Sequence, residues 1–336
     1  MTDSLEETTT VHTAAQVSAA LASSAGSTVL NLMALPLGIV GLAGVWQTMT
    51  DAESASPWPA RLLFALSAAL WAVLTARYLF IAVRGRSFTA DRQNALFGPF
   101  AGYIPVIGIL LCTHYETTAR NMCRAGVLIF VAATAFLVAQ LLTHWLRGNF
   151  VLLAFHPGYF LPTVAGPFIA AIGLCASGWV DAAASAFGVG VFLWLVLSGL
   201  LFGRLFTGPP LPDPLKPTLA ILVSAPATAG LAWLAISAGQ PGTLGYGIFG
   251  ILVLMVVVQV LFFTEYRLLG FMPSFWAFTF PVAAATNLTI RGLHVAEASH
   301  TQLWSWTLTG LATSFILAIA VATVVDRLQH SRHRPL

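Results

Sequence analysis

Charge is what this chain has least of. Only 8% of its 336 residues are Asp, Glu, Lys or Arg, against 58% hydrophobic residues. A soluble domain carries about a quarter charged residues. With apolar runs filling nearly the whole length, that shortage excludes a water-soluble fold and implies an all-α polytopic membrane protein. The few basic residues sit at segment ends. The pI near 9.0 is therefore no sign of a nucleic-acid partner.

Other absences narrow the function. There is no phosphate loop, dinucleotide fingerprint or nucleophile elbow. His114, His144, His156, His294 and His300 lie near segment ends without metal-ligand spacing. No enzymatic activity, cofactor or metal is expected. Cysteine is scarce, with three residues. Cys112 and Cys123 flank one loop, where two free thiols and a disulfide both fit; Cys175 reads as packing. Residues 1–28 carry acids where a signal peptide needs positive charge, and read as a cytoplasmic tail.

What is present is a series of apolar runs. Ten spans are expected, at 29–49, 60–83, 98–114, 124–146, 158–177, 180–204, 216–238, 243–264, 271–291 and 302–326. The links between them are brief, so the chain reads as five helical hairpins. They form a transmembrane domain over 29–326, followed by a tail at 327–336.

Proline marks every odd span. Pro36, Pro105, Pro162, Pro167, Pro226 and Pro281 all fall there, and the interiors of the even spans have none. The spacing suggests a repeat of roughly sixty residues, one hairpin long. Proline removes a backbone donor and bends a helix. In a bilayer the freed backbone is tolerated only when buried in protein or facing a water-filled cavity. The expected architecture is an inner ring of five Pro-kinked helices around a central pore, with straighter helices outside. The odd spans also carry Gly38, Gly102, Gly108, Thr163, Ser224, Thr228, Thr279 and Asn287. These fit close helix packing and pore lining equally well. No odd span has a charge in its interior. That argues against a carrier clamping its substrate by a salt bridge and against a carboxylate-driven pump.

Eleven of the fifteen basic residues fall on the side of the two termini; Arg61, Arg120, Arg124 and Arg291 fall on the other. The positive-inside rule then predicts cytoplasmic termini in a cell (inner) membrane. Arg77, late in the second span, is expected to reach the cytoplasmic surface.

The oddest stretch is Pro273-Ser274-Phe275-Trp276-Ala277-Phe278-Thr279-Phe280-Pro281. On a helix, Trp276, Phe280, Ala283, Ala284 and Asn287 share one face. A bulky ring on a small, kinked face fits a pore constriction, and it also fits interior packing.

These stretches carry a resemblance. Leu35-Pro36-Leu37-Gly38, Tyr159-Phe160-Leu161-Pro162-Thr163-Val164, Pro217-Thr218-Leu219-Ala220-Ile221 with Ala225-Pro226, and Phe275 to Pro281 occur in order, one per odd span. In this the chain resembles the tellurite-resistance/dicarboxylate transporter (TDT) family. That family includes bacterial tellurite-resistance proteins, plant slow anion channels and yeast malate and sulfite permeases. The resemblance covers about residues 30–326. It implies a homotrimer of ten-helix subunits, each with its own pore closed midway by a phenylalanine, here Phe280. Phe275 stands where relatives often have Trp or Tyr.

The expected function is passive conduction of small monovalent anions, such as chloride or nitrate, in a lipid bilayer. Thr163, Thr228 and backbone exposed at the kinks would attract them. With no fixed cation, selectivity would follow ease of dehydration. The alternative is a carrier or exporter of C4-dicarboxylates, sulfite or tellurite.

Overall fold

The computed structural model describes residues 25–85, 98–150 and 152–332. Most of the expected N-terminal tail, Arg86 and Arg92, and the end of the C-terminal tail with Arg334 lie outside the described residues.

Every regular element among the described residues is helical. The α-helices are α1 (Ala25–Leu32), α2 (Ala34–Glu53), α3 (Trp58–Gly85), α4 (Tyr103–Tyr115), α5 (Arg120–His144) and α6 (Gly166–Ala176). They continue with α7 (Val180–Thr207), α8 (Ile221–Ile236), α9 (Gly242–Leu261), α10 (Phe263–Leu268), α11 (Thr279–Val295) and α12 (Thr301–Arg332). Among the described residues eight helical stretches are long and apolar enough to cross a bilayer, and the chain is a multi-pass membrane protein.

Ten such stretches were expected. The expected third and ninth spans fall short of that length, and they share a 3₁₀ opening with the seventh, which begins at Asp213–Ala220 before α8. The third and ninth open as tight 3₁₀ segments, Gly98–Gly102 and Pro273–Phe278, and continue as short α-helices, α4 and α11. Pro273 presets the entry to its turn, and a proline near the start of each α-helix, Pro105 or Pro281, removes an amide donor there. The fifth span also departs from α geometry, with a π-helical turn at Leu161–Ala165 around Pro162. Irregular backbone thus occurs at these prolines, and also without proline at Trp145–Asn149, where Gly148 takes φ 82°.

Consecutive helices pack as pairs: α2 with α3, α4 with α5, α6 with α7, α8 with α9 and α11 with α12. The proline-bearing members also pack on one another: α2 on α4 and α11, α6 on α4 and α8, α8 on α11. The stretches containing Pro36, Pro162 and Pro226 are mostly buried, whereas α3, α5, α7, α9 and α12 are mostly exposed. The exposed faces are apolar, with Leu62, Val73, Val83, Phe192, Leu195, Val260 and Leu311 among them. Arg77 lies on such an exposed flank.

Glycine sets the closest approach. On α2, Gly38, Gly41 and Gly44 face α11 at one-turn intervals. A methyl group added at Gly38 would collide with Thr279. One added at Gly41 would lie 3.0 Å from Ala283 Cβ, and one at Gly44 would lie 3.3 Å from Asn287 Nδ2. Side chains larger than hydrogen would therefore push the two helices apart.

Candidate functional site

Two cavities lie along the buried helices, and the same five stretches line both. The smaller, about 10 Å³, is bounded by Ala34 and Leu37 of α2, Tyr103 of α4, Leu161, Ile221 and Ser224 of α8, and Trp276, Ala277, Phe280 and Pro281. Such a space holds about one water and no hydrated ion. The larger is an open vestibule of about 780 Å³. Its wall includes Val40, Gly44, Thr48 and Asp51 of α2, Leu110, Thr113 and His114 of α4, and Ile172 of α6. Leu231 and Leu234 of α8, with Asn287, Arg291 and His294 of α11, complete it. In each stretch the N-terminal part borders the small cavity and the C-terminal part borders the vestibule. The five stretches therefore run parallel.

On α2 the changeover from small cavity to vestibule falls between Leu37 and Val40. Phe280 sits at this level. It is 6% exposed, and its Cδ2 lies 3.1 Å from where a Gly41 methyl would stand. Pro281 follows the ring in the first turn of α11, where a missing amide donor is tolerated. Ala277, in the 3₁₀ segment before the ring, lines the small cavity with it. Thr279 donates to the Trp276 carbonyl at 2.7 Å, and Trp276 Nε1 donates to Thr323 of α12 at 2.9 Å. These bonds staple the Pro273–Phe278 segment beneath the ring. Phe278 points elsewhere, into a cluster with Tyr266, Phe275 and Phe315.

The other expected positions divide. Asn287 lines the vestibule and Pro281 the small cavity. Gly38 is the contact point for Thr279. Pro36, Pro105, Pro162 and Pro226 are buried within their helical stretches. Thr163 donates to the Tyr159 carbonyl at 2.5 Å, and Thr228 to the Ser224 carbonyl at 2.7 Å. Both threonines are buried, and neither lines either cavity. Their hydroxyls occupy carbonyls of their own helices rather than the open space.

The vestibule holds charged groups that sequence reasoning left among the flanking residues. Arg291 Nε donates to Asn287 Oδ1 at 2.9 Å, and Nη2 donates to Thr48 Oγ1 at 3.0 Å. Thr48 donates in turn to Asn287 Oδ1 at 2.9 Å. His294 Nε2 meets Glu53 Oε1 at 2.9 Å, and Asp51 accepts from Gln47 at 2.8 Å. The one signal available was spacing: Arg291 follows Asn287 by four residues and so shares its face. Cys112, Cys123 and Cys175 are unpaired.

A wide vestibule and a small inner space thus lie along the same five buried stretches. The model of the family described as voltage-dependent anion channel, SLAC1, matches residues 29–324. The chain belongs to that family. The resemblance drawn from the odd-span motifs points to the same group. The chain is 26% identical over 272 residues to the guard cell S-type anion channel SLAC1 of Arabidopsis thaliana, covering 80% of this chain and 48% of that one. It is 28% identical over 310 residues to the S-type anion channel SLAH3 of the same plant, covering 86% and 47%. It is 24% identical over 270 residues to a tellurite resistance protein TehA homolog of Haemophilus influenzae, covering 77% and 80%. The chain thus spans about half the length of these two plant relatives. None of these relatives is named as an enzyme.

Proposed function

We propose that this SLAC1-family chain is an anion channel that passively conducts small monovalent anions through a pore within each subunit, closed by Phe280. The observation that carries the reading is the pair of coaxial cavities lined by the same five stretches, with Phe280 at the level where one gives way to the other. The inner helices form a ring of five. The circuit of contacts α2–α4–α6–α8–α11–α2 supports it. Ten helices cross the bilayer, with α4 and α11 completed by their 3₁₀ segments. For α11, 17 residues at about 1.5 Å each give about 25 Å, and six more at about 2 Å each bring the length past the apolar core.

The chemistry suits an anion. The five parallel stretches turn their N-terminal, partially positive ends toward the small cavity. Arg291 supplies a full positive charge at the vestibule. The ring of Phe280 closes the path by excluding water, as apolar constrictions do. The polar mouth faces outward and both termini lie in the cytoplasm, as the basic-residue count supports. Subunits assemble as a homotrimer, which the family resemblance supports.

A second reading has one observation in its favour: the Haemophilus relative, matched over most of its length, is named for tellurite resistance. On that reading the chain exports tellurite or carries sulfite or C4-dicarboxylates. Flux assays on proteoliposomes separate the two. A channel gives unsaturating, uncoupled anion flux, while a carrier gives saturable, proton-coupled flux.

A further inference from the structure

The vestibule contains a guanidinium with three of its five donors outside its two hydrogen bonds. Arg291 has five N–H groups. Nε donates one to Asn287 and Nη2 donates one to Thr48. Both partners are neutral oxygens. Among the described residues no carboxylate lies within ion-pair distance of Arg291, and Nη1 has no hydrogen-bond partner. The two hydrogen bonds also fix the plane of the guanidinium. The edge formed by Nη1 and the second N–H of Nη2 takes no part in these bonds, and Arg291 forms part of the vestibule wall.

A guanidinium edge is a planar fork. It matches two coplanar oxygens 2–2.5 Å apart, as in a carboxylate, nitrate or bicarbonate, and adds geometric selection to charge attraction. A halide meets the same charge but cannot use both N–H groups with the same alignment. We propose that the Nη1/Nη2 edge of Arg291 is a docking site for planar monovalent oxyanions at the mouth of the pore. The proposal rests on the channel reading for its role in conduction, and on the vestibule geometry alone for binding.

One group competes for this site. Asp51 lines the same vestibule and its charge acts on Arg291. The amide of Gln47 holds its carboxylate back at 2.8 Å. Removing the Asp51 charge should therefore strengthen anion binding.

Formate is the discriminating probe, because it is planar yet hydrated at least as strongly as chloride. A pore that sorts anions by dehydration alone would not prefer it. The measurement is the thermal unfolding midpoint of the full-length protein in mild detergent, titrated with sodium formate or sodium chloride at constant ionic strength held by methanesulfonate. Arg291→Lys keeps the charge and loses the fork; Arg291→Gln loses both; Asp51→Asn removes the competitor. The parent should bind formate at least threefold more tightly than chloride. The ratio should fall to about one in Arg291→Lys, with both affinities lost in Arg291→Gln, while Asp51→Asn should bind formate more tightly than the parent. An unchanged formate-to-chloride ratio in Arg291→Lys overturns the proposal, as does unchanged binding in Arg291→Gln. Bilayer recordings on the same samples keep the two readings apart. Arg291-dependent formate binding by a protein that conducts no anion overturns the channel and leaves the site. Anion currents with binding indifferent to Arg291 leave the channel and overturn the site.

Discussion

The ring of Phe280 rests against Gly41: a methyl group built at that glycine would stand 3.1 Å from Phe280 Cδ2 and 3.0 Å from Ala283 Cβ. Glycine at this point of α2 is what gives the ring its present seat. Gly41→Ala should push the ring and α11 outward by a few tenths of an ångström. Overpacking of this kind costs about 1–3 kcal/mol. The expected result is a lowered thermal midpoint in detergent with the yield of folded protein retained, and an altered basal conductance in bilayers. A variant identical to the parent in both would show that the Gly41 contact does not position the ring.

Thr48 is the hub of the vestibule network, donating to Asn287 and accepting from Arg291. Thr48→Val keeps the shape and removes both bonds. A hydrogen bond to a charged group is worth about 1.5–3 kcal/mol. The thermal midpoint should fall accordingly, whereas Thr207→Val, on an exposed hydroxyl bonded only to its own helix, should leave it within error. Equal midpoints for the two variants would contradict this assignment.

Much of this was legible in the sequence, and the remainder fails for definable reasons. Prolines restricted to alternate spans announced which helices would be buried, because backbone freed by Pro36, Pro162 or Pro226 cannot face lipid. Phe280 stands out in the sequence as a large ring beside a proline on a face of alanines, and in the fold it is buried at the small cavity. Thr163 and Thr228 were placed on the correct buried helices, but residue type does not give a rotamer. In an apolar interior their hydroxyls turn to the nearest carbonyl of their own helix. Arg291 was counted as a flanking charge, since a basic residue at the end of an apolar run looks the same whether it meets headgroups or a vestibule. Only the folded chain brings Thr48, 243 residues away, to its side. The third and ninth spans read as proline-kinked helices in the sequence, but periodicity does not distinguish a 3₁₀ opening from an α-helical one.

Native mass spectrometry from mild detergent should give three times the mass of the 35.7 kDa chain. In the same preparation, bilayers under a KCl gradient should reverse near the chloride equilibrium potential. A monomer or dimer mass would count against the trimer, and equal permeability to potassium and chloride would count against anion selectivity.

The central claim is that Phe280 closes the pore, and Phe280→Ala in planar bilayers tests it most directly. The small cavity beside the ring holds about one water. Replacing the phenyl by a methyl should join that space to the vestibule. Phe278→Ala is the comparison, because Phe278 is buried in an aromatic cluster off the path and its truncation costs about 3–5 kcal/mol without opening anything. The account predicts a large rise in anion conductance for Phe280→Ala, at normal trimer yield, and a lowered thermal midpoint with no added conductance for Phe278→Ala. A folded Phe280→Ala trimer that conducts no better than the parent would contradict it.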